Sequence, residues 1–233
     1  NWNINFVHSD IRNVEVVREH LKDADIVHHL AGVTEVARTK EEQNDEKDKL
    51  ITEVAEVGTS IVLSETPEKC KIIFPSTHVV FEGKDTADLN IKEDYETFPV
   101  LPYSKSKDKN EKQIINSKRN YVILRLGSVY GYSNDATRLN IMPNLFSMIT
   151  SQDGTIRLFG GGKQIKTLVP LIDAARCFKF MEEQNDIKNE IFNVTKDKAT
   201  VEEVANICKK YNSKVKIIKT NDKVLNPGYF LSI

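Results

Sequence analysis

The sequence predicts an α/β fold built on a mostly parallel sheet. Two observations carry that expectation. Short apolar runs alternate with segments of helical period along most of the chain. The runs KIIF (71–74) and YVILRL (121–126) are unbroken instead of alternating, as strands buried on both faces are.

Taken in order, INFVHSD (4–10) reads as a strand with a polar exit and residues 13–24 as an amphipathic helix. DIVHHLAG (25–32) is a short strand ending in small residues. A charged stretch, 40–49, opens a helix that continues to residue 66. Residues 70–77 form the next strand, and the connection from 81 to 102 is long enough to be functional. The helix that begins near Tyr103 follows, then a strand over 120–131. Residues 140–150 read as a helix, 155–160 as a strand, 167–183 as a strand passing into a helix, and 190–195 as a strand. Thr200, with Glu203 three residues on, predicts a capping box for the helix that follows. A late strand covers 215–220.

With 233 residues, the chain suits one large domain or two small ones. The 39% hydrophobic and 29% charged content is that of an ordinary soluble domain. A net charge of -1 gives no electrostatic footprint for nucleic acid or an anionic membrane. Its apolar runs are too short to span a bilayer, and residues 1–10 lack the basic and long apolar regions of a signal peptide. The three cysteines are widely spaced with no C-x-x-C, so reduced thiols, no metal site and a cytoplasmic setting are expected.

Tyr103 and Lys107 stand one helical turn apart on one face, with Ser76 and Thr77 upstream at a strand end. A phenol is a poor acid or base at neutral pH, because its ordinary pKa is about 10. A cation beside it favours the phenolate and brings proton exchange within reach. A Ser or Thr hydroxyl could then hold the substrate oxygen that loses or gains the proton. The Tyr-x-x-x-Lys spacing alone also fits a surface tyrosine on a lysine-rich helix, so the order of the segments around it decides.

Those segments resemble the extended short-chain dehydrogenase/reductase family, the NAD-dependent epimerase/dehydratases of nucleotide sugars, over nearly the whole chain. Asp10-Ile11-Arg12-Asn13 is similar to the family's D-(I/L)-x-(D/N) turn, and Leu30-Ala31-Gly32 to its L-A-(A/G) strand end. Pro75-Ser76-Thr77 with Phe81 and Gly83 resembles S-(S/T)-x-x-V-(Y/F)-x-G. Residues 125–131 resemble R-x-x-N-V-Y-G, 140–143 a segment that meets the substrate phosphates, and 160–173 the pattern G-x-G-x-Q-x-R followed by V-x-D.

The resemblance implies a Rossmann-like, doubly wound parallel sheet with a smaller C-terminal substrate-binding part. It places an incomplete NAD-binding domain at 1–135, with 165–195 returning to it, and the substrate part at 136–164 and 196–233. It implies Thr77, Tyr103 and Lys107 as the catalytic set. Asp10, Ile11, Leu30, Ala31, Gly32, Pro75, Ser76 and Leu126 would bind NAD (NADP being the alternative), together with Tyr103 and Lys107. Thr77, His78, Ser128, Asn140 and Lys166 would face a nucleotide-diphosphate sugar, and a homodimer is implied. The activity implied is epimerisation by transient oxidation of a sugar hydroxyl. A keto-sugar reductase similar to dTDP-4-dehydrorhamnose reductases, or a non-catalytic remnant that binds a nucleotide sugar or a partner, are the other readings.

The sequence also departs from the pattern. No Gly-x-x-Gly-x-x-Gly turn precedes Asp10, so the N-terminal strand-helix unit is expected to be missing. Ser128 replaces an Asn, Lys166 an Arg, and Ala55 an Asn. His78 and Val79 follow Thr77 where dehydratases carry Asp-Glu, which argues against 4,6-dehydration.

Overall fold

The structure, a computed structural model, describes residues 4–34, 44–84, 87–134, 138–222 and 228–232. In chain order the elements are α1 (Val14–Leu21), β1 (Ile26–His28), α2 (Asp45–Glu65), β2 (Lys71–Thr77), β3 (Asp88–Ile91), α3 (Pro102–Asn116), β4 (Tyr121–Leu126) and β5 (Ser128–Tyr130). Then come α4 (Met142–Ser151), β6 (Thr155–Leu158), β7 (Ile165–Pro170), α5 (Leu171–Glu183), β8 (Glu190–Val194), β9 (Asp197–Thr200), α6 (Val201–Tyr211), β10 (Lys216–Lys219) and β11 (Tyr229–Leu231). One four-stranded sheet has the order β1-β2-β4-β8. The chain divides into two compact units, Asn1–Pro75 with Leu101–Ile123 and Asp186–Glu190, and Ser76–Val100 with Leu124–Asn185 and Ile191–Ile233.

In the first unit β1 runs parallel to β2, with Val27 opposite Ile72 and His28 opposite Ile73. Ile72, Ile73, Val122 and Ile123 are fully buried, which is why these runs carry no polar alternation. The helix expected from the charged stretch starts at Asp45. Asn44 caps it by accepting from the N–H groups of Glu46 and Lys47, and Asp45, Glu46 and Asp48 complement the helix dipole. The earlier part of that stretch, 40–43, lies outside the described residues. Pro102 opens α3, where its missing N–H costs nothing. Asn110 and Gln113 of α3 donate to the carbonyls of Ala55 and Glu56, at 3.0 and 3.2 Å, and so tie α3 to α2.

Residues 4–10, expected as a strand, form no regular element. Ile4 and Phe6 are 71% and 82% exposed. An apolar run becomes a strand only beside a hydrogen-bonding neighbour, and among the described residues none is paired with it.

The second unit holds the three-stranded sheet β5-β7-β9, in which β7 is parallel to β5 and antiparallel to β9. A separate core of Phe146, Ile156, Leu158, Ala205, Cys208 and Val215 joins α4, the parallel pair β6–β10 and α6. The expected capping box is present: Thr200 Oγ1 accepts from the Glu203 N–H, and Glu203 accepts from the Thr200 N–H at 2.6 Å. The run 120–131 is two strands, because the chain leaves β4 at Gly127, whose amide donates to the Val194 carbonyl. Inside the long 81–102 connection, β3 pairs in parallel with β11. Cys70 and Cys208 are buried, and all three thiols are free.

Candidate functional site

In the first unit a cleft of about 790 Å³ is lined by Asp10, Ile11, His29, Leu30, Ala31 and Gly32, among others. Asp10 is bound by Arg12 through the backbone N–H (2.8 Å) and the guanidinium (Nη2 at 2.6 Å). That guanidinium holds its carboxyl at about 2, so Asp10 stays charged. Leu30 is 61% exposed, and a Cβ built on Gly32 would meet no atom within 4 Å. The small residues at the end of β1 therefore leave open space beside the backbone.

Tyr103 and Lys107 lie on α3, Tyr103 half-buried and Lys107 buried. Lys107 Nζ donates to the Pro75 carbonyl at 2.7 Å and lies 4.4 Å from the centre of the Phe74 ring. Burial pushes its pKa down to about 8, partly offset by the Glu111 carboxylate. Behind Phe74 stands His29, 3% exposed, with its Nε2 2.8 Å from Thr59 Oγ1 and its ring centre 5.6 Å from that of Phe74. Burial, then the Lys107 charge, depresses His29 to about 4. In sequence His28 and His29 read as plain strand residues, and the local signal for the His29 contact is Thr59, a polar residue beside Gly58 in an apolar stretch of α2.

In the second unit Ser76 and Thr77 are buried at the end of β2. Thr77 Oγ1 accepts from the Val79 N–H at 3.3 Å, capping the turn 78–81. An accepting hydroxyl keeps its proton to donate elsewhere. His78 is 9% exposed, with Nε2 3.1 Å from Ser128 Oγ and its ring 5.4 Å from that of Tyr229. Burial, then the Lys166 charge, depresses His78 to about 3, so the imidazole is neutral.

Ser128 of β5 lies opposite Leu168 of β7, so Lys166, two residues before Leu168, emerges on the same sheet face as Ser128. Burial lowers the Lys166 pKa. The glycine triplet is the turn between β6 and β7: Gly160 and Gly161 have φ of 56° and 69°, the left-handed region that favours glycine. Gln164 closes it by donating to the Phe159 carbonyl at 2.8 Å. Asn140 is exposed, its Oδ1 accepting from Arg138 Nε at 2.7 Å, and Leu126 is half-buried at the end of β4. Among the described residues no group of three His, Cys, Asp or Glu could hold a metal, and no helix is long and apolar enough to cross a membrane.

The structure thus brings the expected residues together in two sets. Asp10, Ile11, Leu30, Ala31 and Gly32 line one cleft, and Lys107 is anchored on Pro75. His78, Ser128 and Lys166 gather on the second unit. Asn140 keeps its own partner, Arg138.

The model of the NAD dependent epimerase/dehydratase family matches residues 1–195. No curated protein matches the sequence. A UDP-glucose 4-epimerase of Thermotoga maritima, solved with UDP-glucose, is similar in structure at a TM-score of 0.84 and 20% identity, over 100% of this chain and 76% of that one. A UDP-glucuronic acid 4-epimerase of Bacillus cereus, solved with UDP-glucuronic acid and NAD, gives 0.83 and 23%, over 100% and 74%. A dTDP-glucose 4,6-dehydratase of Streptomyces venezuelae, solved with NAD, gives 0.79 and 21%, over 97% and 70%. At these identities the likeness is one of fold.

Proposed function

We propose, because the chain belongs to the NAD dependent epimerase/dehydratase family, that it acts on nucleotide-diphosphate sugars as an NAD-dependent epimerase. The observation that carries this reading is the anchoring of Lys107 on the Pro75 carbonyl. It fixes the Tyr103 helix face against the strand whose next residues are Ser76 and Thr77.

The residues present fit a dinucleotide: the cleft is open, Ala31 and Gly32 leave the backbone approachable, and Asp10 is a fixed anion able to accept from an amine or hydroxyl. Asp10, Ile11, Leu30, Ala31, Gly32, Pro75, Ser76 and Leu126 would hold NAD, with Tyr103 and Lys107 at its reactive end. When bound, NAD supplies a hydride acceptor that can return what it takes. Tyr103 would remove the proton of a sugar hydroxyl and give it back after the transient ketone turns. Lys107 would favour the phenolate through its charge. Thr77 would donate to the sugar oxygen, since its Oγ already accepts from Val79. Ser128, Asn140 and Lys166 would meet the diphosphate, with His78 beside them.

His78 and Val79 supply no carboxylic acid or base, so dehydration is not part of this reading. A second reading, an NAD(P)H-dependent keto-sugar reductase, draws on the likeness of 76–83 to the STDYVFDG segment of such reductases. A homodimer belongs to the proposal on the strength of the resemblance, and a cytoplasmic location on the three widely spaced thiols.

The test is calorimetric binding of NAD and NADPH, followed by turnover of UDP-glucose with catalytic or stoichiometric cofactor. Epimerisation with catalytic NAD supports the first reading, and stoichiometric consumption of NADPH by a keto sugar supports the second. No binding of either cofactor and no turnover would sink both.

A further inference from the structure

His78 is buried against the buried Tyr229 ring, and its own Nδ1 is buried without a hydrogen-bond partner among the described residues. Its Nε2 lies 3.1 Å from Ser128 Oγ. A neutral imidazole carries one donor nitrogen and one acceptor, so two arrangements are open. In the first, Nδ1 carries the proton and Ser128 donates to Nε2. That buries an unmet N–H, at the full desolvation cost of a lost hydrogen bond, and consumes the only proton of Ser128. In the second, Nε2–H donates to Ser128 Oγ and only a lone pair faces the interior at Nδ1.

The unmet Nδ1 decides between them, because a buried N–H left without an acceptor is rarer than a bare lone pair. Burial and the Lys166 charge keep the ring neutral, so one nitrogen alone carries a proton. Tyr229 packs against the imidazole with 5.4 Å between ring centres and 53° between planes, which restricts its rotation.

We infer that His78 is a positioning residue: as the Nε2–H tautomer it donates to Ser128 Oγ and so commits the Ser128 hydroxyl proton to an acceptor-only oxygen of the ligand, a phosphate oxygen. The ligand half of this assignment rests on the nucleotide-diphosphate reading above, whereas the tautomer does not. Phosphate oxygens only accept, so a serine serving them must be a donor. With both its nitrogens turned to protein, His78 does not itself touch the sugar nucleotide. It acts through Ser128, the position where the resembling enzymes carry an Asn.

The test combines two measurements on the 233-residue chain. Nitrogen-15 NMR of the histidine ring gives the tautomer, with Ser128→Ala and His78→Gln used for assignment. Calorimetry compares UDP with uridine for wild type, His78→Ala, His78→Asn and His78→Gln. The expected result is an Nε2–H ring. UDP affinity should fall about 10-fold in His78→Ala and His78→Asn, the loss of one hydrogen bond to a charged ligand. It should return to within about 2-fold in His78→Gln, whose amide nitrogen reaches the place of Nε2. Uridine affinity should stay unchanged. An Nδ1–H ring overturns the assignment, as does equal weakening of UDP and uridine, which a mere packing role would give. A wild-type chain that binds neither ligand overturns the nucleotide-sugar reading itself and the ligand half with it. The ring tautomer then still decides whether the His78–Ser128 pair is built as inferred.

Discussion

Lys107 Nζ donates a 2.7 Å hydrogen bond to the backbone carbonyl of Pro75. A backbone acceptor cannot rotate away, so the ammonium is held where β2 ends. The face of Phe74 also lies against it, the ring centre 4.4 Å from the amine. The site is costly for a cation: burial lowers the pKa from the ordinary 10.5 to about 8. The unfolded chain therefore binds the proton more tightly than the folded one between those values, and stability rises with pH across that window. The penalty is fully present below pH 8, where the charge is retained.

The first prediction is that turnover falls on the alkaline side with a limb near pH 8, as Lys107 loses its charge. Lys107→Met should lower kcat by about 100-fold or more at pH 7, the size of a lost general-base effect. It should also remove that limb without lowering the thermal midpoint, since the buried charge that costs stability below pH 8 is gone. A pH–rate profile of both proteins checks it. An unchanged profile in Lys107→Met would separate Lys107 from the chemistry.

The second concerns the pair His29–Thr59, 2.8 Å apart and both buried. Thr59→Val keeps the shape but leaves a ring nitrogen unpaired in the core. The expected loss is about 1–3 kcal/mol, read as a lower urea midpoint at pH 7. Thr59→Ser, which keeps the hydroxyl, should recover most of it.

Acid titration supplies the third. His29 and His78 are depressed from 6.5 to about 4 and about 3. As pH falls below 6.5 the unfolded chain gains protons that the folded chain refuses, so stability is full above 6.5 and declines toward pH 4. For His29 the 2.5-unit difference (6.5 − 4) corresponds to on the order of 3 kcal/mol at pH 4. Urea midpoints at pH 7, 6 and 5 should fall steadily, and His29→Gln should flatten part of that slope. The carboxylates of Glu65, Asp88 and Asp173 are lowered from ordinary values near 4 and add their losses at lower pH.

Much of the architecture was legible because it rests on local signals. The unbroken runs of β2 and β4, the Asn44 and Thr200 caps and the proline at the start of α3 each declare themselves within a few residues. What stayed hidden depends on pairing. Residues 4–10 have the composition of a strand but no neighbour among the described residues. Residues 229–231 read as little in isolation and become β11 only beside β3. The site shows the same division. The spacing of Tyr103 and Lys107 is written in one turn of helix, but Thr59 beside His29 and Ser128 beside His78 are 30 and 50 residues apart. No periodicity reports such contacts.

A fourth prediction tests the segment that returns past β7. Gly228 has φ of +100° and bridges Ile165, and a Cβ built there would lie 2.3 Å from the Ile165 carbonyl oxygen. Gly228→Ala must distort the bridge as well as strain the backbone, at about 2 kcal/mol or more. A lower melting temperature is expected. Because Ile165 precedes Lys166, UDP binding should weaken as well. An alanine variant that melts with wild type would show that the bridge bears no strain.

Lys166 carries the last. Lys166 is half-buried, burial lowers its pKa, and among the described residues its amine has no ion pair or hydrogen bond. A partly desolvated ammonium without such a partner costs the free protein stability, and it is retained where a ligand supplies the missing charge. Lys166→Met should therefore stabilise the unliganded chain by up to about 1 kcal/mol, read as a higher urea midpoint. The same change should weaken UDP by at least about 10-fold, since a charge-assisted bond is lost. Lys166→Arg should keep the affinity through its planar fork if the cavity admits it. Opposite signs for stability and binding are the signature of a charge kept for a ligand. A Lys166→Met chain that is both less stable and equally able to bind UDP would make Lys166 a packing residue.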